Sequence, residues 1–269
     1  MVVPIPVNVD DVATARERLR AESPLVHCLT NVVVANFTAN ALLAAGASPA
    51  MTDTVEDAEV LAGGAGAVLV NLGTVTYASA DGMRASVAAA ARNGRPWVLD
   101  PVAVGPLPWR TSLAGELLTL AAPSVIRGNA SEVLALDGGL GGRGVESTAD
   151  PDEAVEGANA LAAKYSSTVA VSGTVDLITD GHRTVRVANG HALMTRVTGV
   201  GCALGALTAG FLAVVDDALL AAVAATVLLN LAGEAAAVRA PRPGSFATAL
   251  IDELDATDAD RIRTHARLG

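Results

Sequence analysis

The sequence predicts an α/β protein with a mostly parallel central sheet and helices on both faces. Three observations predict it. Helix-period and strand-like segments alternate down most of the 269 residues, the pattern that repeated strand–helix units produce. Two strand-like segments, residues 66–72 and 96–100, are almost wholly apolar, as expected of strands covered on both sides. No linker-like stretch or internal repeat interrupts the alternation, so residues 1–269 read as a single domain, long enough to bury roughly 70–75% of its unfolded surface.

Each element has its own signal. Val12, Ala15 and Leu19 mark an amphipathic opening helix. Residues 25–28 form a short strand ending in the polar turn Thr30-Asn31. Residues 32–45 read as a helix closed by Gly46, a glycine placed for the left-handed cap. Residues 48–51 are extended, and Thr54 with Asp57 three residues on is close to a capping box. The apolar run 66–72 is a strand, residues 78–92 a helix ending at Asn93-Gly94, and 96–100 a strand stopped by Pro101. Residues 113–121 are helical, 124–126 a strand turning at Arg127-Gly128-Asn129, and 131–136 a helix that runs into a glycine-rich loop over 137–144. Asp150-Pro151-Asp152-Glu153 combines a cap, a first-turn proline and first-turn acids, a helix start. Residues 168–171 are a strand, and 176–187, with Asp180-Gly181 between the arms, a β-hairpin. Thr198 to Cys202 is a glycine turn into a long alanine-rich helical region, broken at Pro241-Arg242-Pro243-Gly244 and resumed over 246–254.

Composition removes several function classes. The formal net charge is -10, whereas a polymer nucleic-acid binder needs a basic stripe. With 51% hydrophobic and 17% charged residues the chain is not disordered. Two cysteines exclude a disulfide scaffold and point to a reducing compartment, so a cytoplasmic location is expected. The mean hydropathy of +0.44 raises the membrane question. The longest apolar stretch, 218–232, is shorter than the roughly 20 residues of a spanning helix, is headed by Asp216-Asp217 and contains Asn230; it reads as a buried core helix, with no membrane span. The first residues carry no basic region or long apolar core, so no secretory signal is read there.

Ligands of an open parallel sheet bind at the carboxyl ends of its strands, so polar and glycine-marked strand ends are the candidates for chemistry. The sharpest is Thr198-Gly199-Val200-Gly201-Cys202-Ala203-Leu204-Gly205, where a glycine turn opening a helix can aim backbone N–H groups at an anion. It lacks the Lys-Ser/Thr ending of a P-loop and the spacing and position of a dinucleotide fingerprint. Cys202 has two readings: a thiol whose pKa the helix dipole lowers, or a small buried side chain packing the helix start. Asp100 ends an apolar strand, placed for a metal or polar ligand, or for a turn with Pro101. Arg127 could hold a phosphate by a forked contact, Glu132 could cap its helix, and Ser172-Gly173 could meet a nucleotide phosphate or simply turn the chain. The four histidines and two cysteines show no zinc spacing, and no GxSxG marks a hydrolase.

Taken in order, the segments Val26-His27-Cys28-Leu29-Thr30-Asn31, Asn36-Phe37-Thr38-Ala39-Asn40, Gly46-Ala47-Ser48-Pro49-Ala50-Met51, Leu99-Asp100-Pro101-Val102-Ala103-Val104-Gly105, Arg127-Gly128-Asn129 with Glu132, and Thr198-Gly199-Val200-Gly201-Cys202 resemble the hydroxyethylthiazole kinase family of the ribokinase-like superfamily. The resemblance spans about residues 20–235 and rests on the ordered set, each motif alone being modest. It implies ATP-dependent phosphorylation of the primary hydroxyl of 4-methyl-5-(2-hydroxyethyl)thiazole. Met51 and Gly199 would contact the thiazole, Arg127 and Ser172 ATP, and Asp100 and Glu132 a Mg²⁺ ion through water. Gly199, Gly201 and Cys202 would form an anion hole, with Cys202 where most ribokinase-like enzymes carry a catalytic aspartate. It also implies a homotrimer with active sites between subunits. Cys28 stands where the family more often has asparagine, and Ser172 replaces a usual threonine while keeping the hydroxyl. The alternatives are a ribokinase-like kinase for another small alcohol such as a hydroxymethylpyrimidine, a non-catalytic nucleotide-binding subunit, and a redox-active cysteine protein.

Overall fold

A computed structural model describes residues 6–138 and 154–269. Among the described residues, eight strands form one sheet in the order β2-β1-β3-β4-β5-β6-β7-β8. They are β1 (Leu25–Leu29), β2 (Ser48–Ala50), β3 (Ala67–Asn71), β4 (Trp97–Asp100), β5 (Val125–Asn129), β6 (Thr168–Ser172), β7 (Asp176–Thr179) and β8 (Thr184–Val187). The first six run parallel, and β7 and β8 complete the edge antiparallel. Every residue of β3 and β4 is buried, which explains their lack of polar alternation.

Successive side chains of each strand point to opposite faces, and each face has its own core. Ala67, Leu69 and Val98 pack under α1 (Val9–Glu22), α2 (Ala35–Ala45), α8 (Val200–Leu212) and α9 (Ala218–Arg239). Val68, Val70, Trp97 and Leu99 pack under α3 (Val55–Gly64), α4 (Tyr77–Arg92), α5 (Pro108–Leu120), α6 (Ala130–Leu136) and α7 (Val155–Tyr165). Two helices, α10 (Pro243–Ala256) and α11 (Ala259–His265), close the chain. By length and composition α9 could cross a membrane, yet 78% of its apolar window lies buried inside the fold. It is the core helix the sequence suggests.

The fold class and most elements agree with the sequence reading, and the differences have local causes. Residues 32–34 precede α2 as a turn, and α2 still ends at Gly46 with φ 98°. Thr54 caps α3 by backbone conformation alone, without a side-chain hydrogen bond; Asp57 instead accepts from Thr52 Oγ1 at 3.5 Å. Helix α5 begins five residues before the expected 113, with Pro108 in its first turn. Arg127, Gly128 and Asn129 continue β5 rather than turning out of it, because they pair with Ala170, Val171 and Ser172 of β6. The hairpin turn holds four residues, 180–183, tied by Asp180 to the N–H groups of His182 and Arg183. The glycine-rich loop from residue 139 and the helix start at 150–153 lie outside the described residues.

A candidate active site at the carboxyl edge of the sheet

Parallel pairing in register brings Asn71, Asp100, Arg127, Asn129 and Ser172 to one edge of the sheet. The first turns of α8 cross this edge, and glycines stand at three points of the approach. Gly199 has φ 94°, and a Cβ there would lie 2.7 Å from Val34 Cγ1. At Gly201 a Cβ would sit 3.1 Å from an Arg127 guanidinium nitrogen, and at Gly205 one would sit 3.3 Å from Asp100 Oδ2. The helix N-terminus, the Arg127 guanidinium and the Asp100 carboxylate are thus in one place. Unpaired N–H groups and a guanidinium there make a receptor for an anion.

Asp100 is fully buried. Its Oδ2 accepts from Asn71 Nδ2 at 2.7 Å, while its Oδ1 has no hydrogen bond and lies 3.7 Å from Arg127. Burial pushes its carboxyl up to about 7, with Glu132 adding to the rise and Arg127 and Asn71 opposing it. Arg127 donates to Ser172 Oγ at 2.7 Å, so those two residues act as a unit. Glu132 accepts Ala103 N–H at 3.0 Å and Asn129 N–H at 2.9 Å. It completes a capping box with Asn129 and also holds the β4–α5 loop, where Ala103 has φ 61°. The capping role is present, and it directs Glu132 toward the site.

Cys202 lies in the first turn of α8, with Asn31 Nδ2 donating to its Sγ at 3.5 Å. Its surroundings work against the reading in which the helix dipole lowers its pKa. Burial and the neighbouring Asp100 push the thiol up to about 11, against weaker help from Asn71, Arg127 and Asn31. Cys28, buried in the core, is pushed up to about 12, so neither cysteine has the lowered pKa of a redox thiol.

Met51 follows β2 at the same carboxyl edge, 37% exposed. It is not among the residues that line the cavity beside Arg127. Its segment is held from below, where buried His27 lies 2.9 Å by Nε2 from the Thr52 carbonyl. A cavity of about 460 Å³ opens beside Arg127, Ser172 and Gly201 and runs between α8 and α9. Sequence reasoning passed over Asn71, which joins Asn31 to Asp100, and over the cavity residues Asp176 and Asn230. The signal for Asn71 was present: like Asp100, it is a polar residue closing an apolar strand.

Residues 17–260 match the hydroxyethylthiazole kinase family. The chain is 56% identical over 263 residues to the hydroxyethylthiazole kinase of Kineococcus radiotolerans, covering 97% of this chain and 95% of that one. The solved hydroxyethylthiazole kinase structure from Pyrococcus horikoshii OT3 superposes with a TM-score of 0.89 at 41% identity, over 96% of this chain and 98% of that one. A ribokinase-like superfamily protein of Enterococcus faecalis shares the fold, with a TM-score of 0.67 at 13% identity over 94% and 96% of the two chains. Fold and site therefore define an α/β protein of the ribokinase-like fold whose polar side chains and helix N-terminus converge at the carboxyl edge of its sheet. Within that class, the chain belongs to the hydroxyethylthiazole kinase family.

Proposed function

We propose that this protein transfers the γ-phosphoryl group of ATP to the primary hydroxyl of 4-methyl-5-(2-hydroxyethyl)thiazole, a step of thiamine biosynthesis or salvage. The observation that carries the reading is the convergence of the Arg127–Ser172 pair, Asp100 and the N-terminal turn of α8 in a chain of this family. Phosphoryl transfer depends on positioning and charge stabilisation more than on covalent help. Arg127 and Ser172 would bind ATP, and the N–H groups of Gly199, Gly201 and Cys202 would receive charge on the transferring group. Met51 and Gly199 would contact the thiazole. Cys202, protonated at neutral pH, would orient the substrate hydroxyl rather than take its proton.

The residues fit a Mg²⁺ ion held through water. Among the described residues no three His, Cys, Asp or Glu side chains cluster as direct ligands. Asp100 Oδ1 is buried with no hydrogen bond among the described residues, whereas both Glu132 oxygens already accept backbone N–H groups, which favours hydrated contacts. When bound, the ion would neutralise charge developing on the phosphates. Asp100 and Glu132 would orient its water shell.

The same reading makes the protein a cytoplasmic, single-domain homotrimer with sites between subunits. Exposed apolar side chains support an assembly: Val32 and Val33 are 82% and 62% exposed, and Tyr77, 80% exposed, meets Trp109 in a tilted ring contact at 4.8 Å. Sedimentation as three copies checks the trimer. The decisive assay is Mg²⁺-dependent ADP release with the thiazole alcohol, a hydroxymethylpyrimidine and ribose. Release with the thiazole alone is expected; release with only the other two would reassign the substrate.

A further inference from the structure

The cavity beside Arg127 and Ser172 has an inner wall that phosphate binding does not explain. Asp176 and Asn230, 8% and 5% exposed, both line it. Asn230 sits inside α9, in a buried and mostly apolar stretch. Its Nδ2 donates to Asp176 Oδ2 at 2.7 Å and to the Asn189 carbonyl at 2.9 Å. Two acceptors fix the orientation of this amide and use both its hydrogens, leaving Oδ1 as its remaining polar atom. Asp176 Oδ1 in turn accepts Gly173 N–H at 3.0 Å. The capacity left on this pair is therefore that of an acceptor. Met194, Leu204 and Leu229 make the surrounding wall apolar. Such a wall is satisfied by an N–H or O–H and repels a second acceptor.

We propose that Asp176 and Asn230 select the nucleoside of the phosphoryl donor by accepting hydrogen bonds from it. The inference rests on the reading that sets the phosphates at Arg127 and Ser172. The ligand class is a nucleotide presenting a hydrogen-bond donor to the inner wall, and that donor has two sources: the exocyclic amino group of adenine or a ribose hydroxyl.

Calorimetric titration of the full chain with ADP, inosine diphosphate, 2′-deoxy-ADP and 3′-deoxy-ADP separates the sources. At least one nucleotide lacking the recognised donor should bind about ten- to a hundredfold more weakly than ADP, the range for a buried acceptor left unpaired. The nucleotide that weakens names the group. In Asp176→Asn and Asn230→Leu, checked for folding by thermal melting, that preference should collapse. Equal affinity for all four nucleotides overturns the inference and leaves the kinase reading standing. So does a preference that survives in both folded variants. Should neither variant fold, the wild-type series decides alone. If no nucleotide binds, the ATP reading fails and this inference falls with it.

Discussion

Asp100 keeps its proton to about pH 7 because burial denies water to its charge, and Arg127 and Asn71 recover only part of that loss. A raised carboxyl pKa means that the folded state binds this proton more tightly than the unfolded state. The group's stability contribution therefore declines as pH rises from about 4 to about 7, by roughly 4 kcal/mol at one unit per 1.4 kcal/mol. Asp100→Asn should raise stability at pH 8 while removing activity, with a smaller gain at pH 5. Denaturant melts with the metal chelated read this, and an equal gain at both pH values would contradict it. Cys202 gives the opposite expectation for catalysis. A thiol at about 11 cannot contribute the roughly 100- to 10,000-fold of a working base at neutral pH. Cys202→Ala should lower kcat less than that and leave the kcat–pH profile unchanged between pH 6 and 9. A missing limb in the variant would restore the base.

At the level of elements, the site depends on how α8 begins. Gly199 takes φ 94°, and a Cβ there would run into Val34 and Phe37 of the α2 region. Gly199→Ala meets a left-handed backbone cost of about 1–2 kcal/mol, with the Val34 clash added. Its melting temperature should fall, and its kcat/KM should fall further than stability alone explains, because the anion-receiving turn moves. An unchanged melting temperature would show that the turn does not need glycine. Glu132 shows how one element serves two ends. Its capping box starts α6, and the same carboxylate holds Ala103 in the β4–α5 loop.

Across the whole molecule, the helical layer on one face is joined by Arg16. This guanidinium is 1% exposed and donates to the carbonyls of Thr257 at 2.9 Å, Leu254 at 3.1 Å and Ala45. The end of α2 and the end of α10, far apart in sequence, meet at this one side chain of α1. Burial lowers its pKa to about 10, so it stays charged at neutral pH. Arg16→Met keeps the bulk and leaves three buried carbonyls unpaired, each costing about 1–3 kcal/mol. The variant should be destabilised by about 3 kcal/mol or more, read as a lower denaturant midpoint with an unchanged slope. A loss below about 1 kcal/mol would mean that those carbonyls find other partners.

The sequence by itself determined the layers of this protein. Apolar runs such as that of β3 specify strands covered on both sides, and capping and glycine signals bound most helices, because these are local preferences that neighbouring residues express. It also marked Asp100, Arg127, Ser172 and the glycine turn as strand-end and helix-start residues. It missed α11, a short helix capped by Asp258, and the continuation of β5 through Asn129, which only pairing with β6 reveals. Tertiary structure alone decided what the marked residues are. Burial and neighbouring charge raised the Cys202 thiol that its helix position would lower, and strand order brought Asn71 against Asp100. Register and packing joined Asp176 to Asn230, 54 residues apart. A side chain's proton affinity and its partners depend on solvent exclusion and on groups distant in the chain, which local sequence does not encode.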